Sequence, residues 1–187
     1  SAEESLRKLK TEYLDLFLLH RPSPLMHPLE IGEAVNHLLE SGKIKQFGVS
    51  NFTPSQVEML ESAVKVEANQ VEFSLTHMAP MYDGTFDDCI ANKRLAMAWS
   101  PLGLVFREKN AQTVQIHKTL SQLGKKYGVE ESEVLLAWML KHPAVPRPVI
   151  GTTTKERITS SAKAIHLDLE LQDWFALLEA SQGQEVP

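Results

Sequence analysis

The sequence predicts an α/β fold built on parallel strands, of the (β/α)8 barrel kind. Short apolar runs suited to strands alternate with amphipathic helical stretches, an order that calls for right-handed crossovers and parallel pairing. The runs lack alternating polarity, as expected of strands covered on both faces. Each run also stops on polar or small residues, and barrels of this kind carry their functional groups at the C-terminal ends of strands. An open doubly wound sheet is the competing arrangement, but no G-x-G-x-x-G follows any run, which disfavours the dinucleotide-binding form of that sheet.

In chain order, "SAEESLRKLK" predicts a helix from the first residues, with Ser1 and Glu4 spaced as a capping box. "YLDLFLLH", residues 13–20, predicts a strand ending at His20. Residues 29–41 place Ile31, Val35, Leu38 and Leu39 on one helical face, and Gly42 stops the helix. "IKQFGVS", residues 44–50, is the next strand and runs into Ser50 and Asn51. Thr53 then caps a helix with Pro54 at its first position and Gln56 completing a capping box. "ANQVEFS" at 68–74, "LAMAWS" at 95–100 and "RPVIGT" at 147–152 predict three more strands. Helices are expected at 83–92, 112–127, 131–141, 154–165 and 170–180.

Composition narrows the function. The 187 residues fit a single domain, 1–187, and the 43% hydrophobic content supplies a core. A net charge of −5 with acids and bases interspersed gives no footprint for nucleic acid or an anionic membrane. Cys89, the single cysteine, has no histidine nearby and reads as a structural thiol. The seven histidines show no metal-ligand spacing, so no metal is expected. No run approaches the roughly 18 to 20 apolar residues of a membrane span, and the charged start is not a signal sequence. A cytoplasmic location is the expectation.

With the motifs in place, the chain resembles the aldo-keto reductase family from end to end. "YLDLFLLHRP" is similar to that family's fourth-strand motif, "GKIKQFGVSNF" to the fifth, and "NQVEFS", "AWSPLG" and "VIGTTTKERI" to the sixth, seventh and eighth. The resemblance implies a TIM barrel of which this chain supplies about strands four to eight and their helices. It implies hydride transfer between a nicotinamide, NADP with NAD possible, and a small carbonyl or alcohol substrate. By resemblance, Ser50, Asn51 and Gln70 hold the nicotinamide carboxamide, a group that needs both donors and acceptors. Trp99 stacks on the nicotinamide, and Ser100, Leu102 and Gly103 form the diphosphate turn. Gly151, Thr152, Thr153 and Arg157 hold the adenosine 2′-phosphate end. Some branches of the family carry a lysine where Gly151 stands and a Glu-Asn pair where Ser160 and Ser161 stand.

Of the family's catalytic tyrosine, aspartate, lysine and histidine, only the last has a counterpart, His20. Tyr13, Tyr82 and Tyr127 lie in other motifs. The expectation is therefore a C-terminal portion of a barrel whose first three βα units, about 30 residues each, lie elsewhere. A second reading keeps the same barrel as a cofactor-binding, non-catalytic regulatory or structural subunit. Substrate identity and oligomeric state are not specified by these residues.

Overall fold

In the computed structural model, which describes residues 1–185, the expected alternation is present with its elements in the expected order. The strands are β1 (Leu14–Leu19), β2 (Ile44–Ser50), β3 (Ala68–Glu72), β4 (Leu95–Trp99) and β5 (Arg147–Val149), ordered β1-β2-β3-β4-β5 in one sheet. The helices are α1 (Ala2–Leu9), α2 (Pro28–Glu40), α3 (Pro54–Glu61), α4 (Thr85–Ala91), α5 (Ala111–Tyr127), α6 (Glu131–Leu140), α7 (Lys155–Lys163) and α8 (Leu171–Gln182). Short 3-10 turns at Ala79–Met81 and Ala164–His166 are additions that the sequence reading did not contain. The contacts of the described residues gather into two compact units, one of residues 1–71 with 83–96, the other of residues 72–82 with those from 97 on.

In the first unit β1 pairs with β2 and β2 with β3, all parallel. The interior is Val35 from α2, Ile44, Phe47 and Val49 from β2, Phe52, and Val57 and Leu60 from α3. Gly48 lets the strands close up: a Cβ there would lie 2.7 Å from Leu18 Cδ2 and 2.8 Å from the Ala68 carbonyl oxygen. The α3 capping box forms as expected, Thr53 accepting from the Gln56 N–H and Gln56 from the Thr53 N–H. The one expected at Ser1 does not, because Glu4 pairs with Lys8 at 2.8 Å and Ser1 has no side-chain cap bond.

Arg94, directly before β4, is the buried ion of this unit. It donates to both Glu61 carboxylate oxygens at 2.5 and 2.6 Å, to Asp88 Oδ2 at 2.9 Å and to the Val66 carbonyl at 2.6 Å. Those bonds hold the Glu61 carboxyl below its usual range, its bond from Arg94 being the main cause, and push the guanidinium higher still. Cys89 is buried, and desolvation pushes its thiol up to about 12, in keeping with a structural thiol.

In the second unit β4 and β5 pair in parallel, and the core is aromatic. Trp138 of α6 stacks on Phe73 at 5.6 Å and on Trp174 of α8 at 5.2 Å. The two indoles exchange bonds, each N–H donating to the other residue's carbonyl, at 3.2 and 2.9 Å. Trp138 and Met139 are fully buried.

Three strand expectations need correction. β3 stops at Glu72 because Ser74 turns back to pair with His77, their N–H and carbonyl groups exchanging bonds at 3.0 Å. β5 stops at Val149, and Pro148 within it has no N–H for the ladder. β1 and β5, at the two ends of the strand order, are only partly buried, unlike the covered interiors of β2 and β3.

Candidate active site

Within the first unit, the predicted residues sit at or just beyond strand ends. His20 follows β1 and is exposed. Ser50, the last residue of β2, lies in register with Gln70 of β3. Its hydroxyl donates to the Gln70 carbonyl at 2.9 Å, the Asn51 N–H donates to the same carbonyl at 2.9 Å, and Asn51 Nδ2 donates to the Ser50 oxygen at 3.1 Å. Asn51 has φ of 61°, a left-handed conformation that asparagine tolerates better than most residues. These residues therefore make a turn, and that turn fixes where their polar groups point. The Gln70 side chain is half-buried and has no hydrogen-bond partner among the described residues. Beside it, Asn69 donates to the Phe52 carbonyl at 2.8 Å while its buried Oδ1 has no partner.

Within the second unit, Trp99 ends β4 half-buried. Ser100 has φ of 53° and accepts from the Gly103 N–H at 2.8 Å, closing a turn over Pro101 and the half-buried Leu102. Gly103 has φ of 55°, and a Cβ there would collide with the hydroxyls of Ser74 and Thr76. The Leu104 N–H donates to Thr76 Oγ1 at 3.0 Å, so this turn is seated on residues 74–76.

After β5, Gly151 is exposed, and a Cβ there would meet nothing within 4 Å. The fold leaves room for the lysine other family branches carry. Thr152 Oγ1 accepts from the Thr154 N–H at 3.2 Å, and Thr153 is exposed. Thr154 caps α7 without a side-chain bond, leaving the first-turn N–H groups available to an anion. Arg157, in that turn, is exposed and makes no ion pair among the described residues. Ser160, one turn on, donates to the buried Glu133 at 2.6 Å.

Two polar clusters of the second unit escaped the sequence reading. His117 on α5 lies between Glu131 Oε2, at 2.9 Å, and the Val105 carbonyl, at 2.7 Å. Tyr127 donates to Asp173, which also takes Lys126 at 2.8 Å. Tyrosine, aspartate and lysine are the types that the family's chemistry uses, but burial, then the Asp173 bond, raises the Tyr127 phenol, and the cluster ties α5 to α8. Tyr82 accepts from Gln182 at 3.0 Å, and the Tyr13 ring lies under Lys45 at 3.5 Å, so these phenols too have local partners. A cleft of about 480 Å³ lined by Lys125, Glu130, Glu133 and Lys163, among others, contains none of the predicted residues. Among the described residues, no group of three or more His, Cys, Asp or Glu side chains is placed to hold a metal ion. No described helix is long and apolar enough to cross a membrane.

Comparison with known proteins gives the class. The family profile described as "Aldo/keto reductase family" matches residues 1–181, and the chain belongs to that family. It is 39% identical over 192 residues to the uncharacterized oxidoreductase YcsN of Bacillus subtilis, covering 100% of this chain and 64% of that protein. It is 32% identical to the NADPH-dependent alpha-keto amide reductase of Saccharomyces cerevisiae, over 90% of this chain and 56% of that protein. The crystal structure of the thermostable aldo-keto reductase Tm1743, in complex with the inhibitor epalrestat, superposes with a TM-score of 0.84 at 28% identity, covering 96% of this chain and 64% of that one. The sheet and helices thus match the later strands of an aldo-keto reductase (β/α)8 barrel, and the chain spans about 64% of the length of such relatives.

Proposed function

We propose that the protein carrying this chain is an NADP-dependent oxidoreductase transferring a hydride between a nicotinamide and a carbonyl or alcohol substrate. The observation that carries this reading is the Ser50, Asn51 and Gln70 arrangement. Two of these residues are locked by mutual bonds, and the third offers a half-buried amide with no hydrogen-bond partner among the described residues. A carboxamide presents one acceptor and two donors, and a glutamine side chain complements it. The relatives named above are an oxidoreductase and reductases, which favours the enzymatic reading over the non-catalytic subunit.

When bound, the cofactor supplies the hydride. In this reading Trp99 stacks on the nicotinamide, and Ser100, Leu102 and Gly103 bind the diphosphate through their turn. Gly151, Thr152, Thr153 and Arg157 receive the 2′-phosphate. His20 donates a hydrogen bond to the substrate oxygen and sets its angle. Proton transfer is assigned to none of Tyr13, Tyr82 and Tyr127.

Arg157 gives the test. A charge-assisted hydrogen bond contributes about 1.5 to 3 kcal/mol, or roughly 10- to 150-fold in affinity. Arg157→Ala is expected to weaken NADPH by that factor in a fluorescence titration and to leave NADH unchanged, since NADH has no 2′-phosphate. An unchanged ratio of the two affinities would sink the phosphate assignment.

A further inference from the structure

The loop after β4 carries the Ser100 to Gly103 turn, then runs through Val105 and Phe106 to Asn110, which caps α5. Its first half is seated on Ser74 and Thr76. Its second half is held by two side chains of α5: the Thr113 hydroxyl donates to the Glu108 carbonyl at 2.9 Å, and His117 reaches the Val105 carbonyl. The ring's Nε2 lies 2.7 Å from the Val105 carbonyl oxygen, its Nδ1 lies 2.9 Å from Glu131 Oε2 in the first turn of α6, and Phe106 packs edge-on against it at 5.4 Å.

Donor and acceptor rules fix the roles. A carbonyl only accepts, so Nε2 carries a proton and donates it to Val105. The Glu131 carboxylate likewise only accepts, so that bond needs a proton on Nδ1 as well, and the two bonds together hold the ring in the one orientation that aims Nε2 at the loop. A metal-ligating histidine is oriented by the group on its second nitrogen in the same way; here a backbone carbonyl takes the place of the metal.

From this arrangement we infer that His117 and Glu131 are positioning residues for the cofactor. They latch residues 104–108 so that the Ser100 to Gly103 turn is preorganised for a diphosphate group. The inference rests on the cofactor reading above. Preorganisation matters because a loop that must be ordered on binding lowers affinity. A plain tie between α5 and α6 would change stability and leave cofactor affinity alone.

Two measurements on the protein carrying this chain test it: NADPH affinity by fluorescence, and the rate of tryptic cleavage at the exposed Arg107 and Lys109 without cofactor. His117→Leu and Glu131→Leu should each weaken NADPH about 2- to 10-fold, the range of one hydrogen bond, and speed cleavage. Glu131→Gln should stay within about twofold, because its amide N–H can donate to Nδ1 while Nε2 keeps its proton for Val105. If His117→Leu does not fold, the contrast between Glu131→Leu and Glu131→Gln still decides. A wild-type protein that does not bind NADPH overturns the cofactor reading and this one with it. Wild-type binding with affinity unchanged in the leucine variants overturns this one alone, and so does unchanged tryptic cleavage.

Discussion

Arg94→Met would remove the charge at the centre of the first unit while keeping most of the side-chain volume. The Arg94 side chain is 3% exposed, whereas its partners Glu61 and Asp88 are 30% and 14% exposed. The substitution leaves two carboxylates and the Val66 carbonyl without their donor. Breaking a buried ion pair costs about 3 to 5 kcal/mol; the partial hydration of Glu61 places this case near the lower end, about 3 kcal/mol. At about 2 to 4 °C per kcal/mol for a chain of this size, the melting temperature should fall by about 6 to 12 °C. Acid sensitivity gives a second readout. The Glu61 carboxyl is lowered in the folded state, so its contribution is present above the unfolded-state value and disappears as pH falls through the folded one. The wild type should lose stability in that acidic window, and Arg94→Met should lose less. Urea unfolding at neutral and acidic pH measures both, and a cost below about 1 kcal/mol with an unchanged acid slope would refute the clamp.

Two further outcomes follow from the geometry. Gly48→Ala puts a Cβ 2.8 Å from the Ala68 carbonyl oxygen, which the sheet cannot move aside, so urea unfolding should show a loss of about 1 to 3 kcal/mol, as overpacking does; an unchanged midpoint would contradict the close approach. His20→Ala should lower kcat/KM by about 10²-fold or more, as the loss of a positioned acid–base group does, with NADPH affinity unchanged in the same preparation; equal losses in both would make His20 structural.

The elements were readable where local chemistry dictates them. Thr53, Pro54 and Gln56 specify a helix start within four residues, and the cap forms as written. Ser1 and Glu4 have the same spacing, yet Glu4 finds Lys8 one turn on, a competition that spacing alone does not rank. Strand ends drifted for a similar reason. "ANQVEFS" keeps its apolar character to Phe73, but the chain leaves the ladder once Ser74 can pair with His77. An apolar run records burial, and Phe73 is buried against Trp138 without belonging to a strand.

The site divides along the same line. Ser50, Asn51 and Gln70 stand out in the sequence because they sit in short motifs, and the β2–β3 register brings Ser50 opposite Gln70. The bonds from Ser50 and Asn51 to the Gln70 carbonyl close a turn at that strand end. The groups that hold the next loop were not legible. Val105, His117 and Glu131 come from a loop and two helices, and no pairwise spacing of 12 or 14 residues announces a contact. Metal-ligand spacing says nothing about a histidine whose partner is a backbone carbonyl. The usable signal was weaker: a histidine inside an amphipathic helix is a place where an imidazole can reach back to the backbone of the loop before it. Sequence motifs thus mark the groups that would touch the cofactor, while the groups that would aim them emerge only when helices pack.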